Sequence, residues 1–310
     1  MIRIDSKARV LLVIGIVCST AGDSLAQQVF TGAEHVTFDS PEGWALKYFT
    51  SATIMSGLQP PEPLDEHRQA GAINVGFEAE WLPALNPERA RVGFSGGKQE
   101  DVNKAPVVMR PVVRVGLPWR FTAVVAPIPP IEMFGVTPRL VAFGLERPIV
   151  QRERWTLALR GSGQIGSIKA AFTCPQKVLA FAPGSPENPT SCVGTSADVA
   201  SLRYGGAELQ ATYRIPQIRR LVPHAALGVN YINANFQIDA PVVKGIDRTS
   251  LWTSGKTYTG TAGVSYFLTR RMALTVDTFY TPLFIRHDGT GGRANDGLFN
   301  VRALVSYSLR

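Results

Sequence analysis

Long apolar runs are what this sequence most plainly lacks. Beyond residue 26 nothing approaches the roughly 20 apolar residues of a membrane-spanning helix, which excludes helical spans. Cysteine and histidine are scarce, three and four in 310 residues, and they do not gather at metal-ligand spacing. No metal site is therefore expected. A glycine-rich phosphate loop is also missing, and no cofactor is expected. Acidic residues are in deficit, 24 against 32 basic ones, for a net charge of +8. Such an excess can signal nucleic acid, but the first residues direct the chain out of the cell and argue against that partner.

Residues 1–26 read as a secretory signal peptide. Arg3, Lys7 and Arg9 precede an apolar run from Val10 to Cys18, and Ser24-Leu25-Ala26 forms a small-x-small cleavage site. The mature chain is expected to begin near Gln27. The alternatives are a membrane anchor, for which the run is too short, and a lipoprotein at Cys18, for which Gly15-Ile16-Val17 is a poor lipobox. Cys174 and Cys192 then remain as a pair in an exported chain, and are expected to form a disulfide. The intervening segment is rich in Pro, Gly, Ser and Asn, so the bond would staple a loop, for about 3 kcal/mol on a loop-entropy argument.

What the chain has instead of apolar runs is alternation with a period of two. Ile73, Val75, Phe77, Ala79 and Trp81 oppose Asn74, Gly76, Glu78 and Glu80. Ala207, Leu209, Ala211 and Tyr213 oppose Glu208, Gln210, Thr212 and Arg214. Similar stretches recur at 155–164, 258–266 and 299–310. A soluble β-sandwich also alternates. Three features favour a barrel in a membrane: strands long enough to cross a bilayer, aromatics near strand ends, and connections that alternate short with long. Strands are expected at 71–82, 106–117, 119–128, 137–149, 155–166, 203–214, 223–233, 257–268, 271–282 and 298–309, about ten with bounds of eight and twelve. Long loops are expected near 84–104, 129–136, 167–202, 233–256 and 284–297. Pro111, Pro127, Pro129, Pro130, Pro138 and Pro148 make the early strands irregular, because proline cannot donate to a ladder.

The final alternating stretch, Phe299 to Leu309 with Tyr307 near its end, resembles the C-terminal strand of outer-membrane β-barrel proteins of Gram-negative bacteria. The resemblance is porin-like, covers about 70–310 and points to no narrower family. It implies a transmembrane antiparallel up-and-down barrel in the bacterial outer membrane. Outer-membrane lipid and the assembly machinery that reads this last strand are the implied partners. Here the chain ends on Arg310, where the family usually ends on an aromatic.

Ahead of the barrel, within 27–69, a helix is expected near 41–56. Ser40 suits the N-cap, Pro41 the first turn and Glu42 the positive end of the helix dipole. Ala45, Tyr48, Phe49, Ala52, Met55 and Leu58 form an apolar stripe, and Pro60 and Pro61 prevent continuation. An eleventh strand through Trp44, Leu46 and Tyr48 is the alternative. The helix is expected either to plug the lumen or, slightly favoured, to lie on the periplasmic membrane surface, since its stripe is apolar and a lumen is polar.

The faces opposite the apolar stripes would line the lumen with Glu78, Glu80, Arg110, Arg114, Arg160, Glu208, Arg214 and Arg302. Buried charges need partners or water. These residues therefore form either a structural network or the lining of a narrow basic channel for small anionic solutes. The channel is the leading expectation. A closed structural barrel, or one that recognises a partner through its outer loops, is the second. A lipid-modifying enzyme is third. His224 has no acid or serine near it in sequence, His287-Asp288 reads as a solvated loop, and 288–292 with Asp296 fits no calcium-loop motif. No catalytic residue is assigned.

Overall fold

The computed structural model describes residues 28–56, 70–93, 98–99, 105–286 and 293–309. The expected signal peptide, the His287–Asp288 pair and the 288–292 loop lie outside the described residues.

In chain order the elements are β1 (Val29–His35), α1 (Pro41–Ser51), β2 (Ile73–Trp81), β3 (Arg91–Gly93), β4 (Lys98–Gln99), β5 (Val107–Gly116), β6 (Thr122–Ile128), β7 (Val136–Gln151) and β8 (Trp155–Ala170). They continue as β9 (Asp198–Tyr213), β10 (Leu221–Gln237), β11 (Ala240–Val242), β12 (Gly245–Phe267), β13 (Met272–Thr281), β14 (Phe284–Arg286), β15 (Arg293–Asn295) and β16 (Leu298–Ser308). Ten of these close a barrel in the order β2, β5, β6, β7, β8, β9, β10, β12, β13, β16, and β16 pairs back onto β2. Every one of these pairings is antiparallel. The expected ten-strand barrel with one short helix is what the chain forms.

Several strands are longer than expected. Those from β7 to β10 run 16 or 17 residues and β12 runs 23, whereas a tilted strand crosses a bilayer in about 9–11. The surplus lies at the long-loop end, beyond the outward apolar band. Most of the expected loop 233–256 is therefore strand, and the expected loop 167–202 is strand at its two edges. The physical reason is an inversion of the alternation. Within the lipid band, outward residues such as Leu209 and Val229 are apolar. Above it, the outward residues Lys169, Arg203 and Asn233 meet water, while the inward Ile168, Leu202 and Ile232 are buried. A pattern that flips partway along a strand reads as a break.

The raised arm of β12 would present a bare edge, because β13 pairs only with Gly260–Phe267. β1 covers that edge, running parallel to Ile246–Trp252. The β8–β9 loop is built as well as stapled. Cys174 and Cys192 are bonded, Asp198 accepts from the Phe172 and Thr173 backbone N–H groups, and Asn188 bonds the Cys192 backbone in both directions.

Candidate functional site

Two layers fill the lumen. The layer nearer the short turns is charged. Arg110 Nε lies 2.5 Å from Glu78, Arg302 Nε 2.7 Å from Asp277, and Arg160 bridges Glu146 at 2.6 Å and Glu208 at 3.0 Å. Arg114 joins the same belt at 3.3 Å from Glu146, and Asn300 donates to Glu80. All of these side chains are buried or nearly so. Arg214 lies apart, half-buried, one residue past the end of β9. The lumen residues expected from sequence therefore do point inward, and most come together. Two partners were missed. Glu146 lies in the proline-bearing β7, where register was hard to read. Asp277 meets Arg302 only because β13 and β16 are neighbours. With these two acids the belt holds the carboxylates of Glu78, Glu80, Glu146, Glu208 and Asp277 against Arg110, Arg114, Arg160 and Arg302, so it is not basic. His224 also faces Asp277, at 3.8 Å. Among the described residues neither of its ring nitrogens makes a hydrogen bond.

The layer nearer the long loops is apolar, and α1 occupies it. Ser40 caps the helix through its side chain to Gly43 N–H, with Pro41 opening the first turn. Trp44, Leu46 and Tyr48 are buried against a wall that includes Leu140, Leu202, Ile232, Phe279 and Leu298. Each such side chain contributes about 1.5–3 kcal/mol on burial. Trp44 Nε1 donates to the Asp296 carbonyl, and Lys47 Nζ donates to the Phe284 carbonyl at 2.7 Å while lying over the Phe38 ring. The helix is thus a plug and not the expected surface clamp, because the lumen it enters is apolar and not polar at this level. It is also a helix and not an eleventh strand.

The helix ends at Ser51, earlier than the expected 56. Arg110 Nη1 takes the Thr53 carbonyl at 2.9 Å, and the Tyr204 hydroxyl accepts the Met55 N–H at 2.8 Å. Wall side chains thereby capture the backbone groups that another turn would use. Gln164 bonds the Thr53 hydroxyl, and Ser56 donates to Glu208 at 2.6 Å, within the charged belt. Gly71 lies at the opposite end, where its N–H meets the Gly116 carbonyl at the β5 terminus. Val29–His35 thus lie at the long-loop end, Ser56 in the charged belt and Gly71 at the short-turn end.

Outside, Phe77, Val113, Val125, Phe143, Leu159, Leu209, Leu227, Val276 and Val305 are exposed in one apolar band, with Trp81, Trp155, Tyr213, Tyr231, Tyr258 and Tyr307 among them. A ladder closed around the ring leaves few backbone groups to the lipid that such a band would face. The chain is a β-barrel of the outer-membrane type.

At the long-loop mouth this barrel carries a cleft of about 370 Å³. Its floor is apolar, with Leu46, Phe49, Phe172 and Phe236, carboxylates of Glu34, Glu42 and Asp247 stand around it, and none of the described residues of the lining is basic. A second, smaller apolar cavity of about 80 Å³ lies deeper, between α1 and the β5–β9 wall. Phe49 and Phe172, with ring centroids 5.0 Å apart, border both. Among the described residues no group of three or more His, Cys, Asp and Glu side chains is placed to hold a metal ion.

No family model matches the chain, and no curated protein matches it. Among solved structures it is similar to the outer membrane protease OmpT from Escherichia coli, at 9% identity over 77% of this chain and 94% of that one, with a TM-score of 0.39. It is similar to the attachment invasion locus protein Ail of Yersinia pestis at 11% identity, over 77% and 98%, with a TM-score of 0.31. It is similar to the toluene transporter TodX of P. putida at 8% identity, over 77% and 90%, with a TM-score of 0.29. Likeness of this degree says nothing of what this chain does.

Proposed function

We propose that the protein is exported with loss of residues 1–26, is inserted by the machinery that reads its last strand, and sits in the bacterial outer membrane with its long loops outward. There it acts as a closed, non-enzymatic barrel whose working surface is the cleft at its outer mouth. The ligand class is a small apolar molecule with a neutral or positive polar end. One observation carries this reading: an apolar floor beside the carboxylates of Glu34 and Asp247, with no arginine or lysine among the described residues of the lining. Such a site rejects anions by repulsion and buries a ring or chain against Phe49 and Phe236.

Passage of small anions, the leading expectation from sequence, finds less support. It needs arginines free to meet a solute, and Arg110, Arg114, Arg160 and Arg302 each face a carboxylate. The plug also stands in the way. In a planar bilayer the refolded chain is expected to give no steady conductance. Anion-favouring steps that shrink when Arg110, Arg114 and Arg160 are neutralised would restore the channel.

The cleft itself is tested by calorimetry on the chain in lipid nanodiscs, titrated with an aromatic amine and with its carboxylate isostere. The amine is expected to bind and the carboxylate not. The preference is expected to vanish in a Glu34→Gln, Asp247→Asn chain. Equal binding of both compounds, or of neither, removes the proposed ligand class.

A further inference from the structure

The barrel wall is not evenly sewn. β5 and β6 pair only over Val113–Gly116 with Thr122–Val125. Yet β5 continues to Val107 and stays paired with β2 throughout, and β6 continues to Ile128 paired with β7. Extending the β5–β6 register sets Pro111 opposite Pro127, and Met109 opposite Pro129. At the turn below, Leu117 N–H donates to the Phe121 carbonyl. Alternate residues of an antiparallel strand direct their N–H groups to the same neighbour, so residues 115, 113 and 111 also point at β6. Pro111 therefore presents β6 with a nitrogen that has no hydrogen, and Pro127 presents the same to β5. At the next rung Pro129 has no donor either. The ladder stops where three donors are missing.

The deeper cavity lies directly behind this gap. Val107 and Val108 line it from the β5 lip, Ile128 and Val136 from the other lip, and Phe49 and Ala52 of α1 form its back. Outside the gap, Met109, Val113 and Val125 are exposed in the apolar band. The cavity is nearly free of polar surface, and its Phe49 and Phe172 rings stand between it and the mouth cleft. At about 80 Å³, it has roughly half the volume of an apolar cavity that admits benzene, which fits a slim chain better than a ring.

We infer that the β5–β6 gap is a lateral portal through which a hydrocarbon chain from the surrounding bilayer enters the deeper cavity and rests against α1. This rests on the reading that the barrel spans a bilayer. It is independent of the ligand of the mouth cleft, which is reached from water.

The test uses the full mature chain refolded in phosphatidylcholine vesicles doped with a phosphatidylcholine whose acyl chain carries a diazirine. After irradiation, adducts are mapped by mass spectrometry. Adducts are expected on Met109, Val113 and Val125, and also on Phe49 and Ala52 inside the lumen. Val112 and Ala126 face each other across the gap in the extended register, and both are buried. In a Val112→Cys, Ala126→Cys chain, oxidation is expected to bring the inner adducts to background while the outer ones persist. Reduction of that bond is expected to restore them, with the reduced wild-type chain as control. A Pro111→Val, Pro127→Val chain, which regains two of the three missing donors and with them the next rung of the ladder, is expected to lose the inner adducts without any cross-link. Outer adducts alone, or inner adducts indifferent to both variants, overturn the portal. Absence of the outer adducts as well overturns it together with the bilayer reading beneath it.

Discussion

Arg160 is held between two carboxylates, fully buried, and that makes it the side chain whose loss the barrel should feel most. Removing one member of a buried ion network strands the others without water. Arg160→Met is expected to cost about 3–5 kcal/mol, measured by urea unfolding of the barrel in vesicles. Replacing Arg160 and Glu208 together by Met and Gln is expected to recover most of that loss, since Glu146 keeps Arg114 as its counter-charge. A double variant as unstable as the single one would mean that the belt contributes more than charge balance. Which residues point into the lumen was legible in the sequence, because the period of two fixes the face of each one. The sign of the lumen was not. It turns on Glu146 and Asp277, whose partners come from other strands, and a strand pattern does not say what its neighbour carries opposite it.

The plug helix was legible as a helix and misplaced as an element. Ser40, Pro41 and Glu42 mark its start from local chemistry alone, but its place depends on the wall it meets. That wall is apolar at the level of Leu202 and Ile232 because the strands have left the lipid there and their two faces have exchanged roles. Deleting 27–69 is therefore expected to raise conductance in a planar bilayer and to lower thermal stability. Lower stability with no conductance would mean that the wall collapses to fill the space. A gentler perturbation is available at Gly255, where an added Cβ would come within 2.5 Å of the Phe38 ring just ahead of the helix cap. Gly255→Leu is expected to unseat Phe38 and give brief openings while leaving the ten strands paired. A silent trace identical to wild type would show that the plug does not depend on its cap region.

For the molecule as a whole, the order of the chain in space matters more than any single contact. Val29–His35 lie at the long-loop end beside the raised arm, Ser56 lies in the charged belt, and the first barrel strand starts at the short-turn end. If the long loops face outward, so does Val29 at the start of β1. An epitope tag placed between Ala26 and Gln27 is expected to be reached by antibody on intact cells. Staining only after the outer membrane is permeabilised would reverse either the orientation or the passage of the chain. The same arrangement has a topological corollary. The ring closed by the β2–β16 hydrogen bonds encloses α1 of its own chain, as a lasso encloses its tail, and such a lasso can be tied in two orders. Either residues 41–56 are in the bore when the ring closes, or they are drawn into it afterwards. A folded domain fused ahead of Val29 would be a knot too large for the second route, so the state in which such a fusion stalls reports which route assembly takes.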